Sequence, residues 1–152
     1  MSFEQNLTTL GIILPQAAIP VANYVPCVIA GTTLYVSGQL PVPVGGSMIK
    51  GIIGRDVNID QGRAAAEACA LNIFAQARAA LGSLDRIKRC VKLGVFVAST
   101  PEFTDHPKIA NGASDLVVSI LGDAGKHARF AVGVAALPLG AAVEIDAIFE
   151  IV

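Results

Sequence analysis

Charge is what this sequence has least of. Lysine, arginine, aspartate and glutamate make up 15% of its 152 residues and hydrophobic residues 53%, where an ordinary soluble domain carries about 25% charge. Between Glu4 and Lys50 there is no charged side chain at all. A lone protomer would struggle to hide so much neutral surface, so extensive subunit contacts are expected. A membrane span is also missing, because Pro15, Pro20, Pro26, Pro41 and Pro43 break the uncharged stretch and no apolar run approaches the ~20 residues a bilayer needs. The opening Met1-Ser2-Phe3-Glu4 has no basic leader, so no signal peptide and a cytoplasmic location are expected. There is no basic tract either: the net charge is −1, and the densest cluster is Arg86, Lys88, Arg89 and Lys92, with Lys88 and Lys92 on the wet face of a strand. Nucleic-acid binders usually show a basic face, so bulk nucleic-acid binding is disfavoured. The three cysteines, Cys27, Cys69 and Cys90, form no CxxC pair and are odd in number, which argues against a disulfide framework. Cys69 in an alanine-rich helix and Cys90 in a strand read as packing thiols. His106 and His127, with Asp105 and Asp123, lack the spacing of a metal site. Gly122-Asp123-Ala124-Gly125-Lys126-His127 resembles a phosphate loop only superficially, for two residues separate its glycines and histidine follows the lysine.

The length fits a single domain over residues 1–152, enough to bury roughly 70% of the unfolded surface. Tyr24 to Ala30 and Thr33 to Ser37 read as strands parted by Gly31-Thr32, followed by a Pro/Gly-rich loop from Gly38 to Gly46 and a short strand over Met48 to Ile53. Asp60 precedes a long helix to Leu81, in which Ala70, Ile73, Phe74, Ala77 and Leu81 share one face, and Gly82 is a plausible C-cap. Arg86 to Ala98 alternates, placing Ile87, Val91, Leu93, Val95 and Val97 on one side. A second helix is predicted from Pro107 to Leu121, closed by Gly122. In the last quarter, Phe130, Val132 and Val134 share one strand face and Arg129, Ala131 and Gly133 the other. Val143, Ile145, Ala147, Phe149 and Ile151 likewise oppose Glu144, Asp146, Ile148 and Glu150. With the apolar faces on the helices, Arg129 and Glu144 would both project from the far side of the sheet. The element order suggests an α+β sandwich: a mixed sheet, both helices on one face, the other face open unless other subunits cover it.

Several segments together resemble the RidA/YjgF family, also called the L-PSP endoribonuclease family. They are Tyr24, then Gly31 and Leu34-Tyr35-Val36-Ser37-Gly38-Gln39-Leu40-Pro41, Ala70-Leu71-Asn72, Val95-Phe96-Val97, Asn111, and the hairpin Ala128-Arg129 … Leu137-Pro138 … Val143-Glu144-Ile145. The resemblance implies a chorismate mutase-like fold assembling as a homotrimer whose sheets form a central barrel, with clefts between subunits. It implies hydrolysis of enamines and imines such as 2-aminoacrylate to ammonia and a 2-keto acid, with no metal or organic cofactor. Arg129 would clamp the carboxylate of a small substrate, since a planar guanidinium fork suits that task. Glu144 would hold the attacking water and move a proton. Tyr24, Ser37, Gly38 and Asn111 would shape the cleft and supply hydrogen bonds. Many members carry Ala-Arg-Ser-Cys at this strand, whereas this chain has Ala128-Arg129-Phe130-Ala131, with Ala131 at the cysteine position. That departure motivates an alternative, a trimer that binds small carboxylates without chemistry. A third reading, endoribonuclease, rests on the family's older name alone. His127, beside Arg129, is a candidate acid or base, although a loop histidine before a strand is usually only solvated.

Overall fold

A computed structural model describes residues 1–20 and 22–152. Five strands form one mixed sheet: β1 (Cys27–Ala30), β2 (Thr33–Gln39), β3 (Ile87–Ala98), β4 (Ala128–Val134) and β5 (Val143–Ile151). Their order is β1-β2-β5-β3-β4. All neighbours run antiparallel except β3 and β4, which need a crossover connection. That connection is α3 (His106–Leu121). It lies beside the longer α2 (Ile59–Leu81), and both pack on the face that buries Leu34, Val36, Val95, Val97, Val143, Ile145 and Phe149.

α2 is capped by Asn58, two residues before Asp60, because Asn58 and Gln61 form a capping box: Gln61 N–H donates to Asn58 Oδ1 at 2.8 Å and Asn58 N–H to Gln61 Oε1 at 3.0 Å. Gly82 ends it with a left-handed φ of 82°. The two long helices touch closely where Gly112 meets the Arg63 carbonyl, a place with no room for a side chain. An unpredicted helix, α1 (Phe3–Thr9), is capped by Ser2 and held down by Asp85, which accepts from Phe3 N–H at 2.7 Å.

Three expectations are corrected. The predicted Met48–Ile53 strand is reduced to isolated bridges at Lys50 and Ile53, since Gly51 (φ 123°) turns the chain out of the extended region. The first strand starts at Cys27 rather than Tyr24, after Pro26, which has no N–H to give a ladder. In β3, Val91 faces solvent and Cys90 is buried, because register shifts on either side of Arg89 and Cys90 break the alternation. The cysteines behave as packing thiols: burial pushes Cys90 up to about 12 and Cys27 to about 11, and holds Cys69 well above its ordinary value.

The sheet face away from the helices is open and carries a set of apolar side chains beside Glu144 and Asp146. Val28 (50% exposed), Tyr35 (47%) and Val132 (42%) stand on it with Ile148, Phe96 and Phe130. Phe96 and Phe130 meet edge to face at 5.2 Å, and Lys92 lies over the Phe130 ring at 5.3 Å.

Candidate functional site

The orientation of β4 overturns one expectation. Phe130 and Val132 take the open face, and Arg129, Ala131 and Gly133 turn toward α3. Three observations agree. Arg129 Nη1 donates to Asn111 Oδ1 and Ser114 Oγ of α3, each at 3.0 Å. Ala131 packs against the core. A side chain at Gly133 would collide with His106, the first residue of α3. The physical reason is that β4 is an edge strand whose open face also carries apolar side chains, so alternation alone does not identify the face covered by helix. Glu144 does project from the open side, across from Phe96, between the buried Val143 and Ile145. Within one protomer, Arg129 and Glu144 therefore lie on opposite faces of the sheet.

The sequence-predicted residues thus fall into two groups. In the first, the half-buried Arg129 makes no ion pair among the described residues. Its Nη1 is anchored by Asn111 and Ser114 while the Nε and Nη2 edge carries no hydrogen bond among the described residues. Asn111 is thereby joined to Arg129. Ser114 was missed; the available signal was its spacing of three from Asn111, which puts both on one helix face. His127 is more than a solvated loop residue, since its Nε2 lies 2.9 Å from Ser114 Oγ.

In the second group, Glu144, Tyr24 and Gly38 line a cavity of about 610 Å³ together with Gln39, Pro138 and Leu139. Gly38 lets the carboxylate in, for a Cβ there would lie 2.7 Å from Glu144 Oε1. Partial burial, and next the charge of Asp146, hold the Glu144 carboxyl above its ordinary value. Ser37 does not line this cavity; its hydroxyl donates to the Val25 carbonyl at 3.0 Å and ties the Tyr24 segment to β2. Two amides of α2 brace the remaining walls. Asn72 Nδ2 donates to the carbonyls of Leu40 and Val42, and Gln76 Nε2 to that of Ala18. One group can hold an anion and the other can hold a water or move a proton.

A mixed five-stranded sheet with two long helices on one face is the fold of a known class. The chain belongs to the family described as "YjgF/chorismate_mutase-like, putative endoribonuclease", whose model matches residues 4–150. Among curated relatives, Protein TCP17 of Trypanosoma cruzi is 55% identical over 147 residues, 96% of this chain and 92% of that protein. Among solved structures, the protein Atu1372 of Agrobacterium tumefaciens, described as of unknown function, is 52% identical with a TM-score of 0.89, covering 99% of this chain and 94% of that one. RidA from the Antarctic bacterium Psychrobacter sp. PAMC 21119 is 33% identical with a TM-score of 0.62, over 90% of this chain and 94% of its own. No helix among the described residues is long and apolar enough to cross a membrane.

Proposed function

We propose that the protein is a cofactor-independent enamine/imine deaminase-like hydrolase of the cytoplasm, working as a homotrimer at clefts between subunits. The observation that carries the reading is Arg129: a half-buried guanidinium, held by Asn111 and Ser114, with an unused donor edge and no acidic partner among the described residues. Such an edge matches a substrate carboxylate in the bidentate geometry that only arginine offers. Because Glu144 lies on the other face of the sheet, a complete site needs the β4–α3 edge of one subunit set against the Glu144 cavity of another. The apolar open face built on Val28, Tyr35 and Val132 supplies the kind of surface that drives such an assembly.

In the proposed reaction the enamine tautomerises to the imine, its methylene carbon taking a proton from solvent as its nitrogen gives one up. Water then adds to the C=N carbon, and the carbinolamine collapses to the 2-keto acid with loss of ammonia. Glu144 orients the water, accepts its proton and returns it to the departing nitrogen. A carboxyl held above its ordinary value by burial suits both directions of that transfer. Tyr24 and Gly38 confine the substrate beside it. Ser37 acts indirectly by fixing the Tyr24 segment. The relative named RidA, and the family itself, support the class of reading and leave the substrate to experiment.

The test is ammonia and pyruvate release from 2-aminoacrylate generated in situ, with Arg129→Ala and Glu144→Ala beside the native protein. Acceleration by native protein that is lost in both variants is expected. Turnover unchanged in a folded Arg129→Ala assembly would refute the clamp. The separation of Arg129 from Glu144 within a protomer favours a second reading, a trimer that binds small carboxylates without chemistry. It predicts binding of 2-ketobutyrate by calorimetry and no conversion of 2-aminoacrylate.

A further inference from the structure

Arg129 ends a longer chain of contacts. Asn111 and Ser114 lie one helical turn apart on α3 and both accept from Nη1. Ser114 Oγ meets His127 Nε2 at 2.9 Å, and His127 Nδ1 lies 2.6 Å from the Gly125 carbonyl. These contacts assign every proton of the neutral chain. A carbonyl can only accept, so Nδ1 carries the ring proton. Nε2 is then a lone pair to which the Ser114 hydroxyl donates, while the guanidinium donates to a remaining lone pair of Oγ. Hydrogen bonding runs in one direction, from Arg129 through Ser114 to His127 and the backbone.

We propose that Ser114 and His127 make Arg129 a proton-coupled anion site, in which a small carboxylate settling on the Nε and Nη2 edge is accompanied by proton uptake at His127 Nε2. The proposal rests on the carboxylate-clamp reading of Arg129 and adds two residues to it. A guanidinium and an imidazolium two hydrogen bonds apart repel each other, and an anion on the guanidinium offsets that repulsion. Once protonated, Nε2 donates to Oγ, which now receives from both neighbours. Its own hydrogen must then swing away from the ring. One N–H bond forms with a proton from solvent, the serine keeps its proton, and no other covalent bond changes. The anion thereby gains a second cation nearby.

The other charged groups around the ring are already committed elsewhere. Lys126 and Asp123 of the preceding turn pair with each other at 3.0 Å. Asp115 of α3 is paired with Arg63 at 3.4 Å, and Lys92 of β3 lies over Phe130. Among the described residues, none of the four hydrogen-bonds to the imidazole.

The test is calorimetric titration of the full-length native protein with 2-ketobutyrate, at one pH between 6 and 8, in two buffers of different ionisation enthalpy and without carboxylate or phosphate. The buffer dependence of the heat reports protons taken up per acid bound. Native protein is expected to take up a measurable fraction of a proton. His127→Gln should take up none and bind several-fold more weakly, with a flatter pH dependence of affinity. Ser114→Ala should behave in the same way, and Ser114→Thr, which keeps the hydroxyl, should restore uptake. Binding with no proton uptake in native protein, or the same uptake in His127→Gln, would overturn the relay and leave the clamp standing. Absence of any 2-ketobutyrate binding would overturn the clamp and the relay together. Proton-coupled binding without turnover of 2-aminoacrylate would support the relay and remove the enzyme.

Discussion

Replacing Gly38 with alanine separates function from folding at this site. The new methyl would lie 2.7 Å from Glu144 Oε1, 3.0 Å from its Cδ and 3.1 Å from its Cγ, while ordinary contact begins at 3.4 Å. The obstruction is the end of a flexible, half-buried side chain, so the carboxylate can retreat by about 0.7 Å without moving the backbone. Gly38 has no positive φ, and alanine adopts its conformation without strain. Stability should therefore change by less than about 1 kcal/mol, a melting shift within roughly 2–4 °C for a domain of this size. Catalysis should suffer far more, because a misplacement of about 1 Å can cost up to ~100-fold. The expected result is a fall of about 10–100-fold in kcat/KM for 2-aminoacrylate with near-native melting. Gly112→Ala is the opposite case. Its methyl would strike the Arg63 backbone carbonyl, so α2 and α3 must separate, and overpacking of that kind costs about 1–3 kcal/mol. A Gly38→Ala protein with native melting and full kcat/KM would refute the placement of Glu144 in the working site.

Arg129→Lys keeps the charge and loses the planar fork, so kcat/KM should fall at least about 10-fold, equivalent to ~1.4 kcal/mol; steady-state kinetics with 2-aminoacrylate checks this. Glu144 has a folded-state pKa above its ordinary 4.5, so its contribution to stability is present at acid pH and is lost as pH rises from 4.5 through the folded value. Glu144→Gln removes that loss: its melting temperature should match or exceed the native one at pH 7, with a smaller advantage near pH 4. Native activity should decline as pH falls through the raised Glu144 value, because the proton acceptor is then occupied; pH profiles of kcat/KM read this limb. Tyr35→Asp places a charge between Val28 and Ile148 on the open face, and light scattering should report a particle nearer the 15.6 kDa protomer mass than that of native protein.

Much of the fold was legible because it is written in local chemistry. The apolar spacing of Ile73, Phe74 and Leu81, with Gly82 after it, marks a buried helix and its end wherever it sits in a fold. α1 escaped notice because a helix of seven residues offers only Leu7 as a buried position, too little for a periodic signal. Val91 was misassigned because register shifts in β3 depend on how it pairs with β5, which is not encoded within β3 itself. At the candidate site, Arg129, Asn111 and Glu144 were legible by residue type and by resemblance. Ser114 was not, since a serine within a helix carries no mark of what it will touch. Its role appears only when β4 is laid against α3.

The reversed face of β4 and the scarcity of charge have a common physical origin. Alternation identifies the core face of a strand when the other face meets water. Here the other face carries Val28, Tyr35, Phe96, Phe130 and Val132, so apolar residues stand on both sides of the sheet and the pattern cannot distinguish them. The same exposed face is costly for a solitary protomer and favourable for one that packs against copies of itself. Under that packing, Arg129 on the helix side of an edge strand and Glu144 on the open side need not meet within a chain; they need only lie at surfaces that neighbouring subunits bring together. A mixture of Arg129→Ala and Glu144→Ala chains tests this directly. If sites form between subunits, co-folding the two inactive variants should regenerate clefts with both residues intact and restore part of the native turnover. If each chain carried a self-sufficient site, no mixture could restore any activity, and the inter-subunit reading would have to be abandoned.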